Sequence, residues 1–466
     1  VDITNKGLNA NSVDDVTFHY LGCPDFKNGR EFIVPLHITA IGKIFEDGLV
    51  TTAIRIEFTG EIQAGLFLPA YFQVPGRRVI HSYVNNSGNR NDISLRGTYL
   101  FIELLVNEAP DSNEFKEPTG IYRHSSEGGD FGNWAVELPI VLSVRQLETV
   151  FNFDGRKIAP FNRVNDDQYI EIVDDLHQGT YNDPGTGIVI NYNLYIPGGY
   201  EIKSEGLKDL PLVFFLHGAG ESGYDNRATV SAYRQAQEYI KEEAQKETPC
   251  FLMIPQCPVT EERGTGIFEE FGWYTYLKDT EGTGYTHPSK SLRAAINTMI
   301  NTVIPSYNID TNRIYVTGHS MGGGGAAAAL VERPDIFAAG LSFASGAKFT
   351  DATIEKMRAK PLFFTVAEDE SYDFIKENMI AMMDQLERLG VMVYRSTGEN
   401  AWDAALRGGA AKKQADDTIT RAKALGASMI YVEYIRGSVV PDGHLTHRAS
   451  FANAGIRHWL FAQKLK

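Results

Sequence analysis

Residues 313–325 set the tightest limit on how this chain can fold. The apolar run Arg313 to Thr317 leads into Gly318-His319-Ser320-Met321-Gly322, and an alanine-rich stretch follows Gly325. The pattern predicts a strand, a sharp turn and a helix, with a serine at the apex. Glycine two residues either side of Ser320 suits a turn so tight that a side chain there would strike backbone. The helix N-terminus beneath the serine favours developing negative charge. Glycine is common here, 44 of 466 residues, so the setting carries more weight than the pentapeptide.

The surrounding texture agrees with that setting. From about Tyr169, strand-sized apolar runs alternate with helical stretches. Strands are expected at Ile188 to Ile196, Leu212 to Leu216, Cys250 to Ile254, Arg313 to Thr317, Leu341 to Phe343, Leu362 to Val366, Val391 to Arg395 and Met429 to Tyr434. Helices are expected at Ala232 to Gln245, Leu292 to Ile304, Met321 to Glu332, Phe374 to Leu389, Lys412 to Leu425 and Phe451 to Gln463. Such alternation implies an α/β fold with a doubly wound, mostly parallel sheet. The first part reads differently. Phe32 to Ile41, Thr51 to Phe58, Arg78 to Val84, Thr98 to Val106, Trp134 to Val144 and Thr149 to Phe153 are short alternating runs separated by turn signals. They predict an all-β sandwich. The expected domains are therefore 1–165 and 166–466.

A chain with 43% hydrophobic and 22% charged residues can bury an ordinary core. Its net charge of −15 argues against a nucleic-acid binder and against docking on anionic membranes. No apolar run reaches the roughly 18–20 residues of a membrane span. The N-terminus, Val1-Asp2-Ile3-Thr4, shows no secretion signal and no initiator methionine, as a trimmed end would. Location is left open, with a secreted or periplasmic site preferred to the cytoplasm; self-association is left open too. Cys23, Cys250 and Cys257 are too few for a disulfide framework and lack zinc-site spacing, so buried thiols are expected, and no metal or cofactor.

A serine hydroxyl needs a base. With the order serine, acid, histidine, the base is His444, His447 or His458. His444 lies in the loop Pro441-Asp442-Gly443-His444 after the last strand and is preferred; His447 is its competitor. The acid belongs just beyond Leu362 to Val366, where Ala367-Glu368-Asp369-Glu370 offers three carboxylates. Aspartate is the commoner acid, which points to Asp369. An oxyanion hole needs two backbone donors. Met321 supplies one; Ala219, in the turn Leu216 to Gly220, is the expected second, with Gly220 behind it. His217 is expected to be structural.

These residues resemble a known family. From Ile188 onward the chain is similar to α/β-hydrolase esterases of the polyhydroxybutyrate-depolymerase-like group. The likeness rests on Asn193 to Pro197, Leu216 to Gly220, Asp225-Asn226, Pro255 to Pro258, Gly318 to Gly323 and Trp459 to Phe461. The first part, with Ala53 to Glu57, resembles the immunoglobulin-like domain that precedes some bacterial esterases. The resemblance implies a carboxylesterase acting on small-molecule or polysaccharide-linked esters, with Ser320 as nucleophile and His444 as base. Polysaccharide-directed acetyl or feruloyl esterases and serine peptidases are the alternatives. Gapless comparison with the family's His-Gly-x-x-Asp segment puts Glu370 at the acid position, so Asp369 and Glu370 both stay open. Trp273 and Gly220 are expected to line the substrate pocket. Residues 396–428, longer than a simple connection, are read as a surface excursion or as a lid that brings Trp402 to the pocket. Tyr71, Phe72 and Tyr83 are read mainly as packing residues, with a carbohydrate platform as the other use.

Overall fold

The computed structural model describes residues 32–46, 48–106, 139–258, 272–278 and 284–465. Cys23, Trp134 and most of the strand expected around Trp134 lie outside them. The chain divides into two compact units. Among the described residues the first holds 32–40, 53–105 and 141–167, and the second the remainder.

The first unit is built from strands. In its larger sheet Arg96–Leu104 lies between Gly48–Gln63 and Val79–Asn85. A smaller one joins Phe72–Gln73, Ser143–Gln146 and Phe161–Val164. Alternation explains the main pairing: Ile54 faces Ile102 and Ile56 faces Leu100 in antiparallel register, and all four are buried. Two aromatics considered for a carbohydrate platform are used in packing. Phe72 is buried, and Tyr83 stacks on Phe101 at 5.2 Å. The Tyr83 hydroxyl donates to the Arg90 carbonyl at 2.6 Å.

The second unit is built on a nine-stranded sheet. Its strands are β1 (His177–Asn182), β2 (Val189–Tyr195), β3 (Leu210–Leu216), β4 (Phe251–Gln256), β5 (Ile309–His319), β6 (Ala339–Phe343), β7 (Leu362–Ala367), β8 (Val393–Ser396) and β9 (Met429–Tyr434). Their order is β1-β2-β4-β3-β5-β6-β7-β9-β8. Pairing is antiparallel from β1 to β4 and parallel beyond. Strands β3, β4, β6, β7 and β9 are buried at every position, which is why they read as mainly apolar runs without alternation.

The main helices are α1 (Lys290–Thr298), α2 (Met321–Glu332), α3 (Asp373–Arg388), α4 (Gly408–Ala424), α5 (His447–Ala452) and α6 (Ala454–Phe461). Two expected helices are corrected. The stretch Ala232 to Gln245 is not one helix: short helical pieces occupy Ala228–Ser231, Ala236–Tyr239 and Glu242–Glu247. Gln237 donates to the Val230 carbonyl, and Lys241 takes an extended ψ of 141°, which ends the preceding turn. The terminal helix is split at Asn453, whose side chain caps Gly455 and donates to the Ala411 carbonyl. Cys250 and Cys257 are buried and not joined in a disulfide.

Candidate active site

The carboxyl ends of the central strands bring the expected residues together. Strand β5 ends at His319, and α2 begins at Met321, leaving Ser320 alone in the turn. Its backbone has φ 58° and ψ −121°, a strained conformation for a residue with a side chain. Surrounding contacts enforce it. The Ser320 N–H donates to the Phe343 carbonyl at 2.9 Å. A Cβ on Gly318 would lie 2.3 Å from the Gly322 carbonyl oxygen, and one on Gly322 would lie 1.9 Å from that of Leu216. The flanking glycines therefore let β3 and β6 close on the turn.

His444 lies in the turn Gly443–Leu445. Its Nε2 is 2.9 Å from Ser320 Oγ, and its Nδ1 is 2.7 Å from Glu370 Oε1. Its own N–H donates to Asp442 Oδ1 at 2.8 Å, and Ser371 Oγ donates to the same oxygen. Glu370 is buried and its second oxygen has no hydrogen-bond partner, so the carboxylate is aimed at the imidazole.

Asp369 is corrected as a candidate acid. Its Oδ2 accepts the Gly437 N–H at 2.8 Å, which turns it away from His444. Backbone sterics fix that choice, because a Cβ on Gly443 would lie 2.2 Å from the Asp369 carbonyl oxygen. The competing histidines are also placed. His447 is buried, and burial, Arg448 and His444 hold it well below the usual histidine range. His458 pairs with Glu247 at 2.8 Å on an exposed surface.

The turn after β3 lies against the serine: a Cβ on Gly218 would be 3.9 Å from Ser320 Cβ. His217 Nδ1 donates to the Gly218 carbonyl at 2.8 Å, while His217 Nε2 accepts the Cys257 N–H at 2.9 Å. Burial pushes His217 down to about 4, so it is neutral and structural. Glu221 lies beside Gly218, since a Cβ on that glycine would be 3.5 Å from Glu221 Oε1, and desolvation raises this buried carboxyl well above its usual range. Ala219 follows, half-buried, and Gly220 makes the bend with φ +95°. Glu221 has no motif around it; only its burial in the folded chain draws notice.

The matched segments of β2, β4 and the 221–226 loop form one polar knot. Asn193 donates to the Asn226 carbonyl, the Asn226 N–H donates to Gln256, and Gln256 donates to Asp225 and to the Glu221 carbonyl. This knot anchors the turn that carries Ala219.

Two expected pocket residues are corrected. Trp273 is 0% exposed; its Nε1 donates to the His217 carbonyl at 2.9 Å. The glycine run starting α2 makes room for it, since a Cβ on Gly325 would lie 2.6 Å from Trp273 Cβ. Trp402 is 1% exposed and packs between Phe363 and Tyr434, with its Nε1 donating to Thr418. The segment around it is no lid. It carries α4, the connection from β8 to β9, which lies against α6 where a Cβ on Gly455 would meet Ala415 at 2.6 Å. Tyr372, unremarked in the sequence, packs its ring at 79° to that of His444 with the centroids 4.8 Å apart, and is 48% exposed.

With this geometry established, likeness to known proteins decides the family. A family model described as putative esterase matches residues 185–425, and one for the esterase immunoglobulin-like N-terminal domain matches 37–159. The chain belongs to the esterase family. It is similar over both parts to the crystal structure of a thermostable esterase, at 29% identity and TM-score 0.68, covering 92% of this chain and 99% of that one. Fainter likenesses run to a feruloyl esterase module from Clostridium thermocellum (13% identity, 60% and 86% coverage, TM-score 0.34). Another is an S-formylglutathione hydrolase from Agrobacterium tumefaciens (12%, 61% and 94%, 0.33). A comparison with curated protein sequences gives no match. The esterase is thus a carboxylic ester hydrolase with an immunoglobulin-like N-terminal domain on an α/β-hydrolase unit. Among the described residues no cluster of histidine, cysteine, aspartate or glutamate has the makings of a metal site.

Proposed function

We propose that the chain is a serine carboxylesterase for short-to-medium acyl esters, working through an acyl-enzyme. The observation that carries this reading is the unbroken line from Ser320 Oγ through His444 to Glu370, at 2.9 and 2.7 Å. Ser320 Oγ attacks the ester carbonyl while His444 Nε2 takes its proton. Glu370 accepts from Nδ1–H, fixes the tautomer and stabilises the imidazolium. The oxyanion is received by the N–H of Met321, which as the first helical residue has no carbonyl one turn back, and by that of Ala219. His444 then protonates the leaving alcohol. Water, activated by the same nitrogen, releases the acid.

Tyr372 and Phe374, both half-exposed beside His444 or next to the residue that is, favour a second reading for the substrate: an ester with a planar aromatic group, such as a feruloyl ester on polysaccharide. The polyhydroxybutyrate-depolymerase-like grouping belongs to the proposal as well; release of hydroxybutyrate from the polymer tests it. An ester assayed against its matched amide separates esterase from peptidase. The decisive test of the mechanism is Ser320→Ala. Hydrolysis of short acyl p-nitrophenyl esters should fall by at least about 10^4-fold while the protein stays folded. Turnover near the wild-type rate would refute the assignment.

A further inference from the structure

We infer that His319, the last residue of β5 and the one before Ser320, is a positioning residue for His444. The inference rests on the reading of His444 as general base. His319 Nε2 is 2.6 Å from the His444 carbonyl oxygen. A carbonyl can only accept, so Nε2 carries the proton. The ring of His319 lies 4.8 Å from that of His444 and 4.5 Å from that of His447. It is almost wholly buried, and burial, then His447 and His444, hold it well below the usual histidine range. A neutral imidazole has one N–H, and here that donor is committed to the backbone of the base.

Two physical consequences follow. His444 is fixed from four directions: Glu370 and Ser320 on its ring, Asp442 on its N–H and His319 on its carbonyl. The last of these comes from the nucleophile's own strand. It therefore ties the base turn to the serine turn without touching the reacting atoms, and the Ser320-to-His444 separation is set by backbone as well as by side chains. The second consequence is electrostatic. The facing groups are His444 and His447, with Arg448 next to His447. A neutral His319 adds no like charge when His444 becomes an imidazolium. Lysine or arginine at 319 would donate equally well but would oppose that charge.

The test compares His319→Ala with His319→Gln in the full chain, with kcat and KM measured separately on p-nitrophenyl butyrate and thermal unfolding followed in parallel. The amide nitrogen of glutamine reaches about as far as Nε2 and donates without charge. The alanine variant should lose about 10- to 100-fold in kcat with KM within about 2-fold, as a misplaced base would. The glutamine variant should recover to within about 3-fold of the wild type. A folded alanine variant with wild-type kcat overturns the inference. So does an equal loss in both variants, which would mark His319 as filling space only. If the alanine variant does not fold, His319→Leu takes its place, being similar in volume and without a donor. Ser320→Ala run alongside separates the two claims. Its inactivity beside a fully active His319→Ala sinks the positioning role alone, whereas an active Ser320→Ala sinks the catalytic reading beneath it.

Discussion

Two histidine–glutamate combinations meet near Ser320: the base turn brings His444 to Glu370 of the loop after β7, and the turn after β3 carries His217 and Glu221. In the base turn His444 pairs with Glu370, imidazole to carboxylate at 2.7 Å, and the ring keeps some exposure to solvent. In the turn after β3, His217 and Glu221 do not pair with each other. His217 bonds the Gly218 carbonyl and Glu221 lies beside that glycine; both are buried, and burial drives both toward their neutral forms. The same two residue types thus serve opposite ends. A carboxylate facing an imidazole sets up proton transfer. A neutral imidazole bonded to a carbonyl holds a backbone in shape. Residue identity does not assign the role; the partner and the solvent do.

The largest difference between the turns should appear on removing the carboxylates. Glu370→Gln should lower kcat by about 10^3- to 10^4-fold, since the amide can no longer stabilise the imidazolium. Asp369→Asn, next to it, should stay within about 3-fold. Ester hydrolysis rates of the two variants check this, and a reversed order would move the acid to Asp369. Glu221→Gln should keep kcat within about 5-fold, because the amide fills the same space beside Gly218 and Glu221 has no part in the line from Ser320 through His444 to Glu370.

The smallest effect is on stability, and its sign is specific. Glu221 is raised above its usual 4.5, so the native state holds a proton that the unfolded chain releases. That lowers stability as pH climbs from about 4.5 toward the folded-state value. His319 and His447 are held below 6.5, so the unfolded chain takes up protons that the native state refuses, and stability falls as pH drops through about 6.5. Midpoints of thermal unfolding from pH 5 to 9 should decline less steeply on the alkaline side in Glu221→Gln than in the wild type. Parallel curves would mean that Glu221 titrates alike in both states.

Much of the catalytic unit was legible because its signals are local. The buried strands are mainly apolar runs, and the serine turn announces itself by glycines that avoid specific backbone atoms. His444 was legible by order along the chain. The acid was not. Glu368, Asp369 and Glu370 share composition, and which one faces the base depends on a backbone approach between Asp369 and Gly443, residues 74 apart. The tryptophans were misread for a related reason. A tryptophan in a glycine-rich loop and one in a long connection look free to line a pocket. Trp273 instead fills the space that the α2 glycines vacate, and Trp402 fills the layer beneath α4. The helix expected at Ala232 to Gln245 had good propensity, but its polar side chains are buried and satisfy nearby backbone rather than solvent.

The central claim is that the proton line of the base turn activates Ser320. Its most direct test is covalent capture of the nucleophile. The folded protein is treated with diisopropyl fluorophosphate, digested and mapped by mass spectrometry. The account predicts one phosphoryl adduct on the peptide bearing Ser320, formed in step with loss of esterase activity, and greatly slowed in Glu370→Gln. Loss of activity with the adduct on another residue, or an unlabelled Ser320 in an enzyme that still hydrolyses esters, would contradict it.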